Sequence, residues 1–170
     1  PPRLREVPLR TASIEIAGES AMVCYQIAYP SLEVPEDTFD PVLAFTGDDG
    51  ALMELERDLG AEEELSNELE AALLESYVNS IPGDISWLVT EPESLRELAL
   101  HAIPKLEAAG WEVREASRLD RWKLRKGVFK AAGKSSGQDW FELSGVVDFD
   151  GLQIPLSTLI AQKGAVKLSD

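Results

Sequence analysis

The stretch that most limits how this chain can fold runs from Asp139 to Gly151. Phe141, Leu143, Val147 and Phe149 fall on one parity, with Gly145 between them. Trp140, Glu142, Ser144, Val146 and Asp148 fall on the other. A period of two over ten residues predicts a half-buried strand. Asp150-Gly151 is a two-residue hairpin signal, and Leu152-Gln153-Ile154 is its return strand. An antiparallel sheet is therefore required before any helix is considered.

Helices come next. Leu65, Leu69, Leu73 and Tyr77 recur every four residues with Ala72 beside them, predicting a helix over 61–78. Glu62, Glu63 and Glu64 open it, where the helix dipole favours negative charge, and they read as a solvated face. A second helix follows Thr90, with Glu93 completing a capping box and Pro92 in the first turn. Its stripe is Leu95, Leu98, Ala99, Ala102, Ile103 and Leu106. Pro104 removes a backbone donor and should kink it, and Gly110 stops it.

The remaining strands are shorter. Residues 4–17 alternate loosely up to Gly18, and Ala21 to Tyr29 is the partner. Val42 to Phe45, Ile85 to Val89 and Trp111 to Ala116 complete the set. Pro155 is expected to open a short helix, and Ala165 to Leu168 a last strand. The sum is an α+β fold, mainly antiparallel, with two principal helices packed on one face. Residues 1–90 form an N-terminal α+β part and 91–170 a second part, with one continuous domain the other arrangement. The start at Pro1-Pro2 and the unfinished look of the last residues suggest a piece of a longer chain.

Composition narrows the function classes. In 170 residues the hydrophobic share is 44%, enough for a globular core. Sixteen basic and thirty-one acidic residues give a net charge of −15. Such a chain repels nucleic acid and anionic membranes unless its positive charge is concentrated locally. No apolar run is long enough to cross a bilayer. Cys24 stands alone, as a small apolar group in a strand, and a reducing cytoplasm fits it.

Positive charge is in fact concentrated. From Arg114 to Lys134 lie Arg114, Arg118, Arg121, Lys123, Arg125, Lys126, Lys130 and Lys134, opposed only by Glu115 and Asp120. Trp122 and Phe129 are interleaved. From Asp48 to Glu75, eleven acids face the single base Arg57. A basic run with aromatics can hold phosphates and stack on bases, and Trp122 joins the eight cations as a candidate nucleic-acid contact. The same run also suits a guarded strand edge or a dock for the acidic helix.

Several chemical motifs fail on inspection. Asp48-Asp49-Gly50 lacks the register of a calcium loop. Gly133-Lys134-Ser135 follows Val128 where a phosphate loop needs glycine, so it reads as a linker. His101 is the only histidine, off the apolar stripe, with no partner for metal or triad chemistry. No catalytic, cofactor-binding or metal residue is assigned. A hydrolase using acid pairs is the weakest reading.

The blocks Asp139-Trp140-Phe141-Glu142-Leu143, Val146-Val147-Asp148-Phe149-Asp150-Gly151, Ile154-Pro155-Leu156 and Val166-Lys167-Leu168 resemble the helicase-associated accessory region of bacterial Swi/Snf-family helicase-like ATPases. Leu106 to Val113 looks like the step that precedes it. The resemblance covers roughly residues 90–170. It implies a non-catalytic accessory domain of an ATP-dependent DNA translocase, with the motor lobes of the same polypeptide as partners. Double-stranded DNA is implied as a further partner, through the basic segment. ATP and magnesium are implied for the parent motor only, whose motifs are missing from this sequence. The other reading is a free-standing acidic protein-interaction module.

Overall fold

A computed structural model describes residues 1–123, 128–136, 140–149 and 152–155. The chain divides into two compact units, Pro1–Lys123 and Leu124–Asp170. The boundary read from sequence at residue 90 instead falls inside one core. Both sides of it supply the same cluster, because Trp87 and Val89 pack with Leu95 and Leu98.

The first unit is built on a five-stranded sheet. β1 (Arg3–Arg5) belongs elsewhere; β2 (Thr11–Ala17) and β3 (Ser20–Tyr25) form a hairpin turned at Gly18, whose φ is 60°. The continuous strand expected over 4–17 is thus two strands, interrupted around Pro8, which lacks an N–H to donate. β7 (Ser86–Val89) pairs antiparallel with β3, and the two-residue β6 (Ile81–Pro82) lies outside it. β8 (Glu112–Arg114) runs parallel to β2 on the opposite side, giving the order β6-β7-β3-β2-β8.

Alternation sends Ala12, Ile14, Ala21, Val23, Tyr25, Trp87 and Val89 to one face, all buried. Two helical elements cover that face. α1 (Leu59–Glu75) contributes Leu65, Leu69, Ala72 and Leu73. The second is a rod in three parts: α2 (Pro92–Glu97), a π-helical turn (Leu98–Ala102) and α3 (Ile103–Ala108). Its buried stripe is the one expected from sequence. The α+β reading with two helices on one face therefore holds, although β1 and β8 make parallel pairs.

Three local expectations change. Pro104 sits inside the rod because the preceding turn widens. Ile103 N–H bonds to Leu98 O, five residues back, so the ring meets a loosened backbone. The rod is capped at Glu91, with no side-chain bond from a capping box at Thr90. α1 ends at Glu75, short of Tyr77, which takes φ 57° and is 85% exposed. There Val78 N–H bonds to Leu73 O and Tyr77 N–H to Leu74 O, a Schellman ending with tyrosine at the usual glycine position.

A small three-stranded sheet, β1-β5-β4, completes this unit. β4 (Val42–Thr46) and β5 (Leu52–Glu56) are antiparallel, and β1 is parallel to β5. Leu55 is buried with Tyr29 and Val34, and Leu4, Leu43 and Phe45 pack around them. The opposite parity carries Arg3–Glu54 and Arg5–Glu56 ion pairs between neighbouring strands.

In the second unit β9 (Val128–Ser136), β10 (Trp140–Phe149) and β11 (Leu152–Pro155) make an antiparallel sheet with β10 central. Phe149 pairs with Leu152, so β11 is the return strand of β10, and the turn expected at Asp150-Gly151 lies outside the described residues. Gly133-Lys134-Ser135 lies within β9 and not in a linker, paired with Leu143, Glu142 and Phe141. Pro155 is the last described residue of β11. The expected helix beyond Pro155 and the strand at Ala165 to Leu168 lie outside the described residues.

Candidate functional site

The basic segment singled out from sequence begins on β8 and continues as a 3-10 helix over Ala116–Lys123. Glu115, at φ 60°, turns the chain between them. A 3-10 helix repeats every three residues. Ala116, Leu119 and Trp122 accordingly form the row packed against the main core. Arg118 and Arg121 form a second row, and Asp120 and Lys123 share the third.

Arg114, Arg118, Arg121 and Lys123 each have a partner within the first unit. Arg114 bonds Glu33 at 2.8 Å and Glu112 at 3.3 Å. Arg118 meets Glu115 at 3.1 Å, and Lys123 meets Asp120 at 2.9 Å. Arg121 donates to Gly18 O, at the β2–β3 turn, and its guanidinium lies 4.0 Å from the Trp122 ring centroid. The Trp122 face that could stack on a base is thereby used by Arg121. The carboxylates beside Arg114 hold its pKa above the ordinary arginine value, through the Glu33 hydrogen bond first.

The rest of the candidate patch belongs to the second unit. Arg125 and Lys126 lie outside the described residues. Lys130 and Lys134 belong to β9 of the second unit, at register positions opposite Val146 and Glu142.

A buried polar cluster emerges where sequence suggested a solvated acidic face. Glu62 turns inward from the first turn of α1. Arg57, just after β5, grips it through Nη2–Oε2 at 2.7 Å and Nε–Oε1 at 2.9 Å. Arg57 Nη1 also donates to Thr38 O at 2.9 Å and Asp40 O at 3.2 Å. Tyr29 O–H donates to Glu62 Oε1 and accepts from Asp58 N–H at 2.9 Å. Asp58 then caps α1 by accepting from Ala61 N–H at 3.0 Å.

Burial, and then the hydrogen bond to Glu62, push the Tyr29 phenol well above its ordinary pKa. The same cluster raises Arg57, chiefly through its bond to Glu62. Every polar group here is met by another group of the chain. The arrangement clamps the 30–41 segment, the end of β5 and the start of α1 together. The nearby Tyr25 hydroxyl is buried without a hydrogen-bond partner, and burial raises its pKa too.

On the other face of the main sheet, a cavity of about 220 Å³ is lined by Met22, Cys24, Ile85, Glu15, Glu36 and Asp37. Burial, with Glu15 and Glu36 nearby, pushes the Cys24 thiol up to about 11. Cys24 therefore stays protonated near neutrality, as an inert strand residue does. His101 is exposed on the rod, 3.6 Å from Glu97. Among the described residues, no group of three or more His, Cys, Asp or Glu is placed to hold a metal ion. Also among them, no helix is long and apolar enough to cross a membrane.

No protein-family model, curated protein or solved structure matches the chain.

Proposed function

We propose that the chain is a non-catalytic accessory domain of a bacterial Swi/Snf-like ATP-dependent DNA translocase, working in the cytoplasm by packing on protein. The sequence blocks around β10 and β11 suggest the parent. The observation that supports packing over DNA guidance is the internal pairing of Arg114, Arg118, Arg121 and Lys123. Paired cations release few counterions from a phosphate backbone, so they add little affinity for DNA. Charge supports the same choice. Pro1–Lys123 holds ten basic and twenty-six acidic residues, whereas Leu124–Asp170 holds six and five.

The parent reading is tested in the gene and in the protein it encodes. The polypeptide should continue past Asp170 into a phosphate-binding loop and an acidic metal box. Deleting residues 1–170 from it should change DNA-stimulated ATP hydrolysis. A reading frame that ends shortly after Asp170 overturns the proposal and leaves a free-standing acidic interaction module.

A further inference from the structure

We infer that the outer edge of β4 is a strand-addition site for an extended, basic segment of another protein. The inference stands apart from the parent assignment and uses only the small sheet.

The hydrogen-bond phase of the sheet fixes which groups face outward. Arg57 N–H bonds Pro41 O, and Gly47 N–H bonds Ala51 O. With Val42 opposite Glu56 and Thr46 opposite Leu52, the pairs bonded to β5 are those at Pro41, Leu43, Phe45 and Gly47. The backbone N–H and C=O of Val42, Ala44 and Thr46 therefore point away from β5. β4 is the last strand in the order β1-β5-β4, and no described residue is bonded to these groups. An incoming strand would find three donors and three acceptors in one row.

Edges of this kind are ordinarily guarded by lysine, proline within the strand, or a bulge. β4 has none of these. Its sequence is Val42-Leu43-Ala44-Phe45-Thr46, and its register with β5 is unbroken. Ala44 and Thr46 are exposed and small, while Leu43 and Phe45 are only half-buried on the inner side. An added strand would cover the open flanks of Leu43 and Phe45. Phe39, 86% exposed just before β4, offers further apolar surface.

Charge selects the occupant. Between Arg10 and Arg57 the chain has no lysine or arginine at all. Asp37 and Asp40 precede β4 and Asp48 and Asp49 follow it, all exposed. A second copy would bring the same acids to the same edge, at a net −15 per chain. A segment with apolar residues in alternation and lysine or arginine at its ends matches both the backbone row and the acids flanking it.

The probe is a fluorescein-labelled peptide alternating valine and threonine between terminal lysines, titrated into the 170-residue chain and read by anisotropy. Saturable binding is expected. N-methylation of the alternate amides that face the edge should weaken it at least tenfold, and methylation of the other alternate set should not. Ala44→Pro removes the central outward N–H without touching a bond to β5, and should also weaken binding at least tenfold. Asp40→Asn with Asp48→Asn should reduce its salt dependence. Absence of saturable binding, or equal tolerance of both methylation patterns, overturns the site. Dimerisation in sedimentation that Ala44→Pro abolishes overturns the partner assignment and makes the edge a seam between two copies.

Discussion

Arg57 and Glu62 form a two-bond ion pair with only 5% and 7% of their side chains exposed. Desolvating two charges is costly, and the pair is tolerable because Tyr29, Thr38 and Asp40 complete its hydrogen bonds. It joins the small sheet to the first turn of α1 at the point where the chain passes between them.

Removing one partner should be worse than removing both. Arg57→Met leaves the Glu62 carboxylate buried with Tyr29 alone, and should destabilise the fold by about 3–5 kcal/mol. Adding Glu62→Leu should recover part of that loss, because no uncompensated charge remains. Tyr29→Phe deprives Glu62 of a donor and Asp58 N–H of an acceptor, at a cost of about 1–3 kcal/mol. Urea unfolding of the three variants checks the order. A double variant less stable than Arg57→Met would show that the pair is not the controlling interaction.

Tyr77 is a second place where the backbone departs from the residue's preference. It closes α1 at φ 57° with its ring in solvent. A left-handed residue with a Cβ is strained by about 1–2 kcal/mol, and glycine avoids that at some entropic expense. Tyr77→Gly should therefore raise stability by about 1 kcal/mol, read as a higher urea midpoint with unchanged slope. An unchanged or lower midpoint would mean that the ring contributes contacts that outweigh the strain.

Acid stability should depend on Glu68. Its carboxylate accepts from Arg10 at 3.0 and 3.1 Å and from Trp111 Nε1 at 3.0 Å. The Arg10 bonds hold its pKa below the ordinary value; burial, next in size, opposes them, and the Trp111 bond adds a smaller lowering. A folded-state pKa below the unfolded one gives stability that is present above about pH 4.3 and lost as pH falls through the folded value. Urea midpoints measured from pH 6 down to pH 3 should fall less steeply in Glu68→Gln than in the parent chain. Parallel curves would remove Glu68 from the acid response.

Much of the fold was legible because burial follows period. The stripe Leu65, Leu69, Leu73 and the rod from Leu95 to Leu106 are buried as the spacing requires. β10 pairs antiparallel with β11, Phe149 opposite Leu152, as the expected return strand requires. What escaped were long-range compensations. Glu62 looked solvated among Glu63 and Glu64, because its partners Tyr29 and Arg57 come from other elements and local charge patterning does not register them. Arg57 gave the one available signal, as the lone base within an acidic stretch. The π turn before Pro104 escaped because period alone does not anticipate one. The basic run was read as a patch because composition counts cations, not the acids that distant segments bring to them, such as Glu33 to Arg114.

That pairing leads to the last prediction, which concerns DNA. A patch working through phosphates shows a steep fall of affinity with salt, about one power of salt concentration per phosphate engaged. In the first unit Arg118 and Arg121 form the exposed row, with Glu115 bonded to Arg118 and Trp122 beneath Arg121. The 170-residue chain should therefore retain little double-stranded DNA at about 150 mM salt, where screening acts within roughly 8 Å. Charge reversal at Arg121, Lys123 and Arg125 should change that retention less than tenfold. Tight binding with a steep salt slope, abolished by those three reversals, would mean that DNA displaces the internal acids from their cations. The chain would then guide nucleic acid, and the proposal of packing on protein would fall.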